Sequence, residues 1–141
     1  MASPSKARVR PRSAVPLALD AALVVAFAAV GRATHDEGGG VLGAAGLGLA
    51  TTAWPFLAAL ALGWLISRAW RAPTAPLRTG LPVWLVTAVG GMLLRAIAGQ
   101  GTAVPFVVVA SLTLLLLLVG WRAMAAAARR VRDRRSRTVE G

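Results

Sequence analysis

Cysteine is absent from the 141-residue chain, histidine occurs once, and only five residues are acidic. The missing cysteine excludes disulfides, thiolate metal sites and cysteine nucleophiles. A single histidine, His35, leaves no spaced histidine pair of the kind that holds zinc on a helix. Neither Ser67 nor Ser111 has a paired base by spacing, and no glycine-rich run matches a phosphate-binding loop. The residues therefore point away from an enzyme, and they call for no cofactor and no metal.

Charge as a whole is scarce, at 15% of residues, while apolar residues make up 57% and mean hydropathy is +0.67. That is the profile of an integral membrane protein, and the length allows one domain. A transmembrane helix needs about 20 mostly apolar residues. Four segments qualify, at 15–33, 41–67, 81–98 and 103–127, and they predict an all-α, four-helix transmembrane bundle. The second begins in a glycine-rich stretch, so its true span is expected to start nearer Ala45. A cleaved signal peptide is disfavoured for the first, because the run is too long and carries Asp20.

The net charge of +11 is not spread evenly. Lys6, Arg8, Arg10 and Arg12 precede the first span, Arg68, Arg71 and Arg78 lie between the second and third, and Arg129, Arg130, Arg132, Arg134, Arg135 and Arg137 follow the fourth. The first connection sets Arg32 against Asp36 and Glu37, and the third, Gly99 to Thr102, has no charge. By the positive-inside rule both termini belong in the cytoplasm, the protein in the cell membrane. Residues 1–14 and 128–141 read as basic tails, disordered or lying on anionic lipid. Orientation accounts for the arginines without a nucleic-acid partner.

A weak echo links the halves. Trp54-Pro55-Phe56 is followed by Trp70-Arg71, and Val104-Pro105-Phe106 by Trp121-Arg122, as a duplicated hairpin would require. Interfacial anchoring by Trp and Arg produces such pairs as well. Glycines at 43, 46, 90 and 91 suit close packing between helices.

Charge inside a bilayer costs at least a few kcal/mol, so Asp20 needs a partner or a task. It lies roughly 7 to 8 Å in from the cytoplasmic start of its span, and Arg95 roughly 5 Å in from the opposite face. In a core of about 30 Å the two cannot pair. Two polar clusters are expected instead. The cytoplasmic one comprises Asp20, Arg68, Arg71, Arg78 and Arg122, with Arg122 the best-placed partner. The outer one comprises Arg32, His35, Asp36, Glu37, Arg95 and Gln100. His35-Asp36-Glu37 is a poor metal site, since three adjacent loop residues lack the i, i+4 geometry of a helix.

Asp20, Phe27, Gly31-Arg32 and His35, then Trp54-Pro55, then Trp84, Gly90 and Arg95, give the chain a resemblance to the bacterial domain of unknown function 3054 family. The resemblance covers about residues 17 to 126. It implies a multi-pass membrane protein and supplies no catalytic residues. Two functions stay open: small-solute or proton-linked transport through the polar clusters, expected in a homo-oligomer because four short helices enclose little volume, and a non-transporting scaffold or accessory subunit.

Overall fold

In the computed structural model, which describes residues 11–34, 40–42 and 47–139, the chain forms four long helices and no strand among those residues. They are α1 (Pro11–Thr34), α2 (Leu47–Ser67), α3 (Leu81–Ile97) and α4 (Val104–Val139). Each belongs to a stretch long and apolar enough to cross a membrane, the third only with the short helical turn that precedes it. Large apolar side chains stand outward all along them, among them Val30, Leu65, Ile66 and Leu116, each more than 60% exposed. Such a surface suits lipid rather than water. The protein is a multi-pass membrane bundle.

Packing is tightest between α2 and α3, where glycine lets the helices approach closely. A Cβ on Gly63 would lie 3.2 Å from the Val83 carbonyl oxygen, and one on Gly90 would lie 3.1 Å from the Ala59 Cβ. Gly91 faces the Phe56 ring. The pairing runs backwards along α2 as it runs forwards along α3, so the two are antiparallel. Without a hydrophobic force to separate helix from lipid, small residues that admit close contact are what hold such helices together. The Phe27 ring of α1 meets Phe56 edge-on at 5.2 Å, and Val24, Leu60, Leu114 and Leu118 complete the buried centre. The Trp84 indole donates to the Ser111 carbonyl at 2.9 Å and ties α3 to α4.

Several boundaries differ from those the sequence suggests. Helix α1 starts at Pro11, four residues before the expected span, because proline is well tolerated where the first N–H groups have no helical partner. Residues 1–10 lie outside the described residues. At the other terminus the basic tail, expected to be disordered or to lie on anionic lipid, is helical as far as Val139. The cause is local: Ala-Met-Ala-Ala-Ala-Ala is followed by arginines, all good helix formers, with no proline and no glycine until the last residue. The connection from α2 to α3 is also ordered. Arg68 takes a left-handed conformation (φ 49°) that ends α2, a 3-10 turn follows at Ala69–Arg71, and a wide turn at Pro76–Gly80 leads into α3.

The echo between the halves is not an equivalence in space. Pro55 lies well inside α2, whereas Pro105 is the second residue of α4. Trp70 and Arg71 lie beyond the end of α2 and are exposed, while Trp121 and Arg122 lie inside α4, with Arg122 fully buried. The difference arises because α2 is broken at Arg68 and α4 runs on unbroken.

Candidate functional site

Polar side chains gather at both ends of the bundle. At the end formed by the start of α1, the close of α2, the α2–α3 connection and the middle of α4, Asp20 is completely buried. Arg122, equally buried, meets it through both terminal nitrogens, Nη1 to Oδ1 at 2.9 Å and Nη2 to Oδ2 at 2.6 Å. The Trp121 indole donates to Oδ1 at 2.9 Å and the Trp64 indole to Oδ2 at 2.8 Å. Each carboxylate oxygen thus accepts two hydrogen bonds, which fills its lone pairs.

Arg122 is held as fully. Its Nε donates to the Pro73 carbonyl at 2.9 Å, and Nη1 also reaches the Leu118 carbonyl one turn back at 2.6 Å. The guanidinium lies 4.6 Å from the centre of the Trp121 ring. Gly80 makes room for the arginine stem, since a Cβ there would sit 3.1 Å from Arg122 Cδ. One side chain of α4 thereby links α1 to the α2–α3 connection, and Trp64 adds α2. The bidentate fork is geometry that lysine cannot supply.

The other arginines proposed for this end stand apart. Arg68, Arg71 and Arg78 are exposed, and none bonds to Asp20. The carboxylate has no acceptor site left for them. Trp64 and Trp121 are the donors that the sequence reading did not place in this cluster. The buried Trp64 N–H needs an acceptor, and Asp20 is the one buried acid among the described residues. Trp64→Phe keeps the ring and deletes that donor. The expected cost is about 1.5 kcal/mol, the low end for a hydrogen bond to a charged group, read as a lowered unfolding midpoint in detergent.

At the opposite end, Arg32 and Arg95 lie in the last turns of α1 and α3. From Asp20 to Arg32 is twelve residues of α1, about 18 Å along its axis, and the residues between are apolar. Arg32 donates from Nε to the Val41 carbonyl at 3.0 Å and from Nη1 to Thr52 Oγ1 at 3.3 Å. Arg95 donates from Nη1 to Gln100 Oε1 at 3.0 Å and from Nη2 to the Gly101 carbonyl at 3.2 Å, with its guanidinium 4.6 Å from the Phe106 ring centre. Gln100 Nε2 continues the chain of bonds to the Thr51 carbonyl at 3.0 Å. His35, Asp36 and Glu37, proposed with this group, lie outside the described residues.

Between these side chains opens a cavity of about 520 Å³. Its polar wall is Arg32, Arg95, Gln100, Thr51 and Thr52, and its apolar wall includes Phe27, Gly31 and Phe106. All four helices or the residues at their ends contribute. Thr51, Thr52 and Phe106 were not anticipated, because their role depends on which helix ends meet, which single-span hydropathy does not encode.

A family model described as protein of unknown function (DUF3054) matches residues 17–125. The chain belongs to the DUF3054 family. The matched region takes in Asp20, Arg32, Trp64, Arg95, Gln100 and Arg122, and stops before the arginine-rich end of α4. No curated protein and no solved structure matches the chain.

Proposed function

We propose that this DUF3054 member is a cell-membrane protein that takes up a small solute in the cavity between Arg32 and Arg95, as a carrier and not an enzyme. The cavity carries the reading. Pockets of about 300 to 1,000 Å³ with an apolar lining and a few converging polar groups are the usual form of small-molecule sites. With the basic termini in the cytoplasm, by the positive-inside rule, the cavity faces outward. The Asp20–Arg122 junction then closes the cytoplasmic end, and passage requires it to part. Anionic lipid around the arginines of α4, and association of copies of the chain, belong to the same reading. Proton coupling at Asp20 is disfavoured, since four donors already fill its acceptor sites.

The same saturated junction supports a second reading, a scaffold whose charges only lock helix packing. Gly31 separates the two. It lines the cavity, and a Cβ there would meet nothing within 4 Å, so the side chain of Gly31→Leu starts in open space and is expected to fill the cavity. In proteoliposomes tested with a panel of anionic, cationic and neutral solutes, the carrier reading expects uptake by the natural protein and its loss in Gly31→Leu, at unchanged unfolding temperature. Absence of any uptake, or uptake indifferent to Gly31→Leu, favours the scaffold.

A further inference from the structure

We propose that the opening turns of α2, residues 47–54, are a movable wall of this cavity, hinged at Pro55 and latched by Gln100, and that release of the latch admits the solute. The inference rests on the cavity being a solute site, as proposed above, and adds how that site is opened.

The hinge starts from a missing donor. Pro55 stands inside α2 and has no N–H, so the Thr51 carbonyl one turn earlier has no backbone partner in the helix ladder. A helix that crosses a bilayer tolerates proline where a neighbouring group satisfies the freed carbonyl. Gln100, from the connection between α3 and α4, does so. Its Nε2 donates to the Thr51 carbonyl at 3.0 Å, while its Oε1 accepts from Arg95 at 3.0 Å. A guanidinium can only donate and a carbonyl can only accept, which fixes the amide in this orientation. One carboxamide thus stands in for the peptide N–H that α2 lacks. Because the bond crosses from α2 to the end of α3, it holds only while the opening turns lie against that end.

Packing changes at the same residue. Of residues 47–54 only Ala53 is buried, and every other buried residue of α2 lies from Pro55 onward. The Thr51 hydroxyl donates back to the Leu47 carbonyl and the Thr52 hydroxyl to the Gly48 carbonyl at 3.0 Å, a pattern that bends helices. From α1, Arg32 reaches Thr52 Oγ1 at 3.3 Å, a longer contact than the one Gln100 makes. Thr51 and Thr52 line the cavity on the α2 side, and Gln100, Gly101 and Phe106 line it on the other. A swing of the opening turns about Pro55 therefore widens or narrows the space between two walls. Gln100 is the side chain that bridges them.

The absence of cysteine allows labels to be placed one at a time in the full chain, in phosphatidylcholine nanodiscs. Gly31→Cys puts a single thiol on the cavity wall, and its rate of reaction with a small maleimide reports opening. Spin labels at Leu47→Cys and Ile97→Cys, both exposed, report the separation of the start of α2 from the end of α3. Gln100→Ala is expected to speed the thiol reaction about two- to tenfold, as loss of one neutral hydrogen bond implies, and to spread the label distances toward longer values. Gln100→Glu keeps an acceptor for Arg95 and deletes the donor to Thr51. It is expected to act in the same direction, and it carries the test should Gln100→Ala fail to fold. Pro55→Ala returns an N–H to the Thr51 carbonyl, and in that background Gln100→Ala is expected to change neither reading. Unchanged readings in both Gln100 variants overturn the latch and leave the solute site to the uptake measurement. Changes that persist in full beside Pro55→Ala overturn it as well, because they run through Arg95 and not through the Thr51 carbonyl. The expected readings without uptake of any solute keep the hinge and overturn the carrier.

Discussion

Arg122→Ala is expected to lower the stability of the bundle by about 3 to 5 kcal/mol, the usual cost of removing one member of a buried ion pair. The reason is what remains. Asp20 would keep two indole donors, from Trp64 and Trp121, and lose both guanidinium contacts in a site closed to solvent. The Pro73 carbonyl would lose its donor at the same time, loosening the α2–α3 connection. Arg122→Lys is expected to fall nearer to Ala than to the natural residue, since a single ammonium cannot serve both carboxylate oxygens and Pro73 together. The pair Asp20→Asn with Arg122→Gln is expected to cost less than Arg122→Ala alone, because it strands no charge. Reversible unfolding in mixed micelles measures all three. A cost below about 1 kcal/mol for Arg122→Ala would mean that Asp20 recruits another donor, and would contradict the junction as described.

The sequence made the four helices readable because each span has to satisfy one demand, about 20 apolar residues, and that demand is local. Arg122 stood out as a partner for Asp20 for a similar reason: the rise along a helix sets the depth at which each charge lies. Trp64 did not stand out, since a tryptophan near the end of a span also suits the interface, and only the packing of α2 beside α1 aims its N–H at the carboxylate. The sequence places Arg68, Arg71 and Arg78 at the same face as Arg122, the best placed of the four. What separates them is that α2 ends at Arg68, which leaves all three on an exposed connection, while α4 continues through Arg122. The cavity was legible only as a list of polar residues. Its volume depends on how Phe27, Gly31 and Phe106 meet across α1 and α4, and pairings of that kind have no local signal.

Gly91→Leu is expected to be the most damaging of the glycine substitutions, at about 3 kcal/mol, the upper end of ordinary overpacking. A Cβ alone would press into the edge of the Phe56 ring, with Cε1 only 2.7 Å away. Phe56 cannot turn aside. It is fully buried, and its ring is held edge-on by Phe27 at 5.2 Å. The strain must therefore pass into the separation of α2 and α3, the closest contact in the bundle. Gly90→Ala is expected to cost less, since its Cβ would meet only the Ala59 methyl at 3.1 Å. Phe56→Leu should relieve Gly91→Ala in part, with a coupling of about 0.5 to 3 kcal/mol typical of residues in contact. Gly31→Leu supplies the control within the same protein. The identical change, made where the structure has open space, is expected to leave the unfolding midpoint unchanged while it closes the cavity. If Gly91→Leu were as mild as Gly31→Leu, close approach of α2 and α3 could not be what holds the bundle together.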